Sequence, residues 1–233
     1  PDVAKQGLII VGVEPSDRLT FSGPNSYSSP TFIQSGALRV GADFALSENS
    51  SHIVLGGELD VRGYRQVLRN GLDVRGGVLR VESDKPLTVR NEMGFSDGRI
   101  VAYLNTGTAA DGALAPLDTD RFLYTPGDDK IDENHGIYAV VDPAGASDPD
   151  LNGTWKIIDG DVENAEALAA KTYLIFPVQP GQEAELDENQ IIVVDNQLFY
   201  VANFAGLNEP LDAAALKTIV LEEGSLNIVV TDK

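Results

Sequence analysis

The sequence predicts a mainly β protein: a fibrous, repetitive β segment in the N-terminal half, then a compact β-rich module with one or two short helices. Three observations predict it. Short β-branched and aromatic runs alternate with polar residues along most of the chain, the period of a half-buried strand. The 23 glycines and 12 prolines break those runs every several residues. Only one or two stretches carry the spacing of a helix that could lie on a sheet.

The 233 residues suffice for one large domain or two small ones, and for a core without covalent staples. No cysteine is present, which excludes a disulfide framework and thiolate chemistry. A net charge of −19 argues against nucleic acid and anionic membrane surfaces as partners. No apolar run approaches the roughly 20 residues of a membrane-spanning helix, so membrane insertion is not expected. A start at Pro1 rather than Met suggests a fragment of a longer chain.

In chain order, Leu8 to Val13 reads as a strand, and Ser22 to Pro30 as a loop rich in turn formers. From Gly36 onward five Leu-x-Val pairs occur: Leu38/Val40, Leu59/Val61, Leu72/Val74, Leu79/Val81 and Leu87/Val89, with Leu226-x-Ile228 a sixth version. Each pair sets two apolar side chains on one face, with Arg, Asp or Thr between them on the other. Successive pairs lie 21, 13, 7 and 8 residues apart, which reads as no fixed period and therefore not as a regular solenoid. Strands so short are expected to find partners in other copies of the chain; the alternative is an antiparallel meander within one chain.

Arg99 to Leu104 reads as a strand, and Thr106 to Ala113 as a domain boundary. The expected organisation is a repetitive segment over 1–110, a compact module over 111–223 and a further β segment over 224–233. Thr119 to Asp142 organises the module, as two strands joined by an acidic loop. Phe122 and Tyr124 share one face of the first, and Ile137 to Val141 form the second, buried one. Thr154 to Ile158 reads as a strand. Asp161 has N-cap chemistry for a helix through Lys171, with Val162, Ala165, Leu168 and Ala169 as its apolar stripe. Tyr173 to Val178, Gln190 to Val194 and Gln197 to Ala202 follow as strands, the last two joined by an Asp195-Asn196 hairpin turn. A second helix is expected from Asn208 to Lys217, then strands at Ile219 to Leu221 and Leu226 to Val230.

Asp148, Asp150, Asn152 and Asp159, with the Thr154 carbonyl, match the spacing of a calcium loop. Against it, Asp159 stands where a longer bidentate Glu belongs, no helix flanks the loop, and the last residues alternate like a strand. A hairpin loop around Asn152-Gly153 is the reading preferred, with no metal and no cofactor. Acid pairs at Asp128/Asp129, Asp132/Glu133 and Asp187/Glu188 have the composition of a glycosidase site, but they sit in turns where acids serve the backbone. The two histidines, His52 and His135, accompany no nucleophile, zinc or nucleotide motif. No catalytic residue is assigned, and Trp155 is expected in the core rather than on a sugar.

The order Asp120-Arg-Phe-Leu123, then Asp132-Glu-Asn-His-Gly-Ile-Tyr-Ala-Val-Val141, then Trp155-Lys-Ile-Ile-Asp-Gly-Asp161 before Glu166-Ala-Leu168, then Tyr173-Leu-Ile-Phe-Pro-Val-Gln-Pro-Gly181, resembles a module of bacteriophage tail-fibre proteins. It spans about Leu117 to Phe204. The Leu-x-Val segment looks like the shaft of such fibres, which are intertwined homotrimers with Leu and Val turned inward. The resemblance implies a non-enzymatic virion protein, assembled in the host cytoplasm, that links the tail to a receptor-binding tip. Its partners would be two further copies, other fibre or baseplate proteins and a host-surface glycan. A receptor- or carbohydrate-binding tip, and a capsule depolymerase, are the alternatives.

Overall fold

The structure is a computed structural model that describes residues 8–12, 16–104, 114–126, 135–141, 153–178, 191–194, 197–201, 215–222 and 225–232. It is mainly β, as expected, with 17 strands and one short helix among those residues. Its plan, however, is the solenoid that the irregular Leu-x-Val spacing argued against.

Three parallel ladders run through the chain. The first stacks β1 (Leu8–Val11), β3 (Thr31–Ser35), β5 (His52–Val54), the start of β8 (Leu72–Glu82), the middle of β9 (Leu87–Leu104), the end of β10 (Leu117–Tyr124) and the end of β12 (Gly153–Glu163). The second stacks β2 (Arg18–Phe21), β4 (Ala37–Val40), β6 (Glu58–Asp60), the ends of β8 and β9, β11 (Gly136–Val141) and β13 (Thr172–Pro177). The third stacks β7 (Gln66–Leu68) and the starts of β9 and β10 on the middle of β12. Each turn of chain from β5 onward thus contributes a strand to each ladder, whereas the first two turns supply only the first and second.

The period is visible once the register is known. Leu38 pairs with Leu59, Leu59 with Leu79, and Leu79 with Ile100, so equivalent positions recur every 20 or 21 residues. One coil carries Leu-x-Val on more than one face. Consecutive pairs such as Leu59/Val61 and Leu72/Val74 therefore belong to different ladders, and the distances between them are fractions of a turn.

All five pairs point inward as predicted: Leu38, Val40, Leu59, Val61, Leu72, Val74, Leu79, Val81, Leu87 and Val89 are buried. They join one apolar core that extends from Ile10 to Leu226. At about 1.5–3 kcal/mol for each fully buried aliphatic side chain, these columns are the main force holding the coils in register. The expectation that one chain could not cover such strands is overturned: side chains from three ladders meet inside a single copy.

Corners are made by glycine on the same period, at Gly36, Gly57, Gly77 and Gly98. Gly77 has φ +86°, and a Cβ there would stand 2.2 Å from the Gly57 carbonyl oxygen of the coil below. Only glycine allows successive coils to approach this closely.

Beyond Leu104 the ladders continue while the coils lengthen. Leu117 pairs with Leu87 and Gly136 with Arg99, so equivalent positions there lie 30 and 37 residues apart. The two strands of the central stretch exist, with Phe122 and Tyr124 both buried. β10 and β11 occupy different faces and pair with different parts of β9 rather than with each other. The expected boundary at Thr106 to Ala113 lies outside the described residues, and ladders connect strands on either side of it.

Towards the C-terminus antiparallel pairs join the stack. β14 (Ile191–Val194) pairs with β15 (Gln197–Val201) in the expected hairpin register, and β15 lies on β13. β16 (Ala215–Glu222) pairs with β17 (Ser225–Asp232), which lies on β12. A second apolar cluster, Val101, Tyr138, Val140, Ile175 and Phe199, forms on the outer side of the second ladder. The Arg99 guanidinium donates to the Val193 carbonyl at 3.3 Å, which places β14 against that side.

The helix is shorter than predicted. α1 covers only Ala165–Ala169, because β12 holds Asp161 to Glu163 in the first ladder. Its N-cap is Asn164, in a left-handed conformation, whose side chain donates to the Tyr124 carbonyl at 2.7 Å instead of capping the helix. Of the second expected helix, residues 208–214 lie outside the described residues, and Ala215 to Lys217 are strand.

Candidate functional site

In the second ladder, the residue between each Leu and Val faces outward. Thr20, Arg39, Asp60 and Arg80 therefore stack in one column, each paired in register with the next. Strand spacing sets them about 4.8 Å apart. Like charges would repel at that distance, and here Asp60 stands between two arginines.

The turn leaving β6 supplies the other half of the site. Arg62 reaches back to hold Asp60 in a fork, with Nε and Nη2 each 2.9 Å from a carboxylate oxygen, and its backbone N–H donates to the same group at 3.2 Å. Arg39 adds a contact at 3.0 Å. Asp60 is itself almost fully buried. Burial would raise its carboxyl, but the Arg62 and Arg39 guanidinium groups hold it below the ordinary carboxylate range. Arg62 also lies over the Tyr103 ring, 4.5 Å from its centre. Arg80 turns aside to Glu58 at 3.0 Å. The Gly63 N–H donates to the Glu82 carboxylate at 2.7 Å, which fixes the tip of the turn beside β8.

Thr20, Arg39, Val40, Asp60, Arg62 and Glu82 line an open cleft of about 490 Å³ that also takes in Tyr64, 37% exposed. The Arg39 side chain is 40% exposed. The cleft thus presents guanidinium donors, carboxylate acceptors and an aromatic face, all anchored on rigid strands or a short turn. No group of His, Cys, Asp and Glu suited to a metal ion occurs among the described residues.

The residues singled out from sequence fall elsewhere. Asp148, Asp150 and Asn152 lie outside the described residues, as do the acid pairs Asp128/Asp129, Asp132/Glu133 and Asp187/Glu188. Asp159 is an exposed member of β12, paired in register with Ser225 and bridged by Lys156 at 3.2 Å. Trp155 is buried in the core.

His52 is an inward residue of the first ladder, between Thr31 and Leu72 in register. It is fully buried, and neither ring nitrogen has a hydrogen-bond partner among the described residues. Burial lowers its pKa to about 4, against a small opposing effect of the Ser50 backbone. His135 stacks on Phe95 at 5.1 Å, with Nε2 3.0 Å from the Tyr124 hydroxyl and Nδ1 3.5 Å from an Asp97 carboxylate oxygen. This Asp-His-Tyr sequence has the outline of a proton relay, yet Tyr124 is 2% exposed and its hydroxyl is pushed up by burial and by Tyr173. It is a buried corner support rather than a reacting group.

The cleft was the feature sequence reasoning missed. Arg39 and Asp60 were read only as the polar member of Leu-x-Val. Aligning the sequence on a turn of 21 and then 20 residues would have stacked them beside Arg80 and exposed the charge alternation. Comparison with protein-family models, curated proteins and solved structures finds no match.

Proposed function

We propose that the chain is a structural segment of a bacteriophage tail fibre, linking the tail to a receptor-binding tip. The observation that carries this reading is the uninterrupted stack of parallel coils on one core. A solenoid tied by three ladders resists bending and transmits force along its axis, which is the physical task of a fibre segment. The resemblance of the ordered motifs from Asp120 to Gly181 suggests the family, and the described residues of those motifs include parts of β10, β11, β12 and β13.

A homotrimer belongs to the proposal in altered form. Since each copy has its own core, association would join complete solenoids side by side rather than share strands. β1 and β2 expose Ile9, Val11 and Leu19, and each has a ladder partner on one side only among the described residues. Open edges of this kind invite a further strand, as expected where one fibre segment meets another.

Immunogold labelling of virions produced from the encoding genome tests the reading. Label on the tail is the expected result; purified virions without label overturn it. Light scattering at micromolar concentration tests the trimer separately, and a mass of one chain removes it.

A further inference from the structure

We infer that Asn70 is a site of spontaneous chemical modification, where the Gly71 backbone nitrogen attacks the Asn70 side-chain amide and converts it to a carboxylate. The inference does not rest on the fibre reading, so the labelling experiment above and the one below fail independently.

Asn49, Asn70 and Asn91 recur every 21 residues at the corner leading into the first ladder. The Arg69 N–H donates to the Glu48 carbonyl at 2.8 Å and Leu68 pairs with Val89, so the three stand on successive coils. All three are exposed, and water reaches each of them. They differ in the residue that follows. Ser50 is buried, and its N–H donates to the Ser47 carbonyl at 3.2 Å. Glu92 carries a side chain that crowds any approach to its nitrogen. Gly71 has no Cβ, and its N–H makes no hydrogen bond among the described residues. Asn70 is thus the member of the column whose neighbouring nitrogen is both unshielded and unoccupied.

The reaction needs nothing beyond water. The Gly71 nitrogen loses its proton to solvent base and bonds to Asn70 Cγ. The Cγ–Nδ2 bond breaks and ammonia leaves, closing a cyclic imide. Water then opens either imide carbonyl, giving aspartate or, where the main chain now runs through the side chain, isoaspartate. Either product changes this corner. The Asn70 side-chain amide donates to the Asn49 carbonyl of the coil below, and a carboxylate has no hydrogen to donate there. The tie between coils becomes a contact between two acceptors. Isoaspartate also adds a carbon to the main chain just before Leu72, a buried member of the core. The corner has no slack for it: Gly71 has φ +89°, and a Cβ there would stand 2.8 Å from the Glu92 carbonyl oxygen. The modification therefore loosens the solenoid with age, and faster as pH rises.

Ageing the full chain in mildly alkaline buffer, with a parallel sample in urea, and mapping its peptides by mass spectrometry tests the inference. Exchange of NH2 for OH raises the mass of the modified peptide, and isoaspartyl methyltransferase labels the rearranged product. The expected result is conversion at Asn70 in the folded chain at least tenfold faster than at Asn49 or Asn91. Asn152-Gly153, the other Asn-Gly pair of the sequence, is read on its own peptide. Asn70→Asp should melt about 2–4 °C below the parent, the shift expected when a chain of this size loses one hydrogen bond. The peptide map uses the parent chain, so it decides the matter even if Asn70→Asp fails to fold. Three outcomes overturn the inference: conversion at Asn70 no faster than at Asn49 and Asn91, conversion in urea alone, or Asn70→Asp melting with the parent.

Discussion

At His52 a fully buried imidazole makes the fold sensitive to acid. The unfolded chain takes up a proton near pH 6.5, whereas the folded one resists until about pH 4. Stability is therefore complete above pH 6.5 and falls as the pH drops towards 4, by about 3 kcal/mol in all. His52→Leu places in this column the residue type that Leu72 already supplies one coil on. It should flatten the difference between urea melts at pH 7 and pH 5; an unchanged difference would assign the acid sensitivity elsewhere. Gly136 makes a second argument from a single residue. Its φ is +145°, and a Cβ would stand 2.4 Å from the Lys171 carbonyl oxygen. Gly136→Val is expected to cost about 1–3 kcal/mol or more in denaturant melts. Gly23→Ala, where nothing lies within 4 Å, should cost well under 1 kcal/mol. Equal effects would mean the corner yields freely.

Among the elements, the corners between ladders limit what the strands can do. Gly63 and Gly77 both have positive φ, +84° and +86°, but a Cβ meets open space at the first and the Gly57 carbonyl at the second. Gly63→Ala should cost about 1–2 kcal/mol, the penalty of the left-handed conformation alone. Gly77→Ala should cost measurably more, because coil must separate from coil. Paired melts of the two variants read the contribution of stacking directly, and identical losses would remove it. α1 illustrates the opposite balance. Five residues are too few to stand alone, and the helix persists because Leu168 is buried and Asn164 ties its start to Tyr124. Asn164→Ala loses that bond, and denaturant melts should show a cost of about 1 kcal/mol.

For the whole molecule, the decisive fact is that the core is closed within one chain. If strands were shared between copies, dilution would unfold the protein, and the melting temperature would rise with concentration. With three ladders closed on themselves, circular dichroism should show the same β signal and the same melting temperature from micromolar to nanomolar chain, whatever the state of association. A melting temperature that falls on dilution would return the inward Leu and Val residues to an interface. The outer charges act more weakly. Arg121 bridges Glu92 and Glu163 across successive coils, yet all three are nearly half exposed, where such pairs contribute little.

The sequence by itself determined that the chain is mainly β, and inside against outside along its strands. Alternation has a period of two whatever the partner, so Leu38, Val40, Phe122 and Tyr124 declared their shared faces without any knowledge of the fold. The sequence also located some strand boundaries, such as those of β11 and β13, but β8, β9 and β12 run on through glycines that sequence alone would read as breaks. It did not reveal which strand would lie beside which. That choice depends on how many residues complete one turn, and the turn is hidden when each coil repeats the same Leu-x-Val on more than one face. Tertiary structure also decided the end of β12 over the longer helix, since pairing in the first ladder satisfied Asp161 to Glu163 better than one more helical turn could. The cleft was decided there as well: Arg39, Asp60 and Arg62 become one site only when the register sets successive coils about 4.8 Å apart.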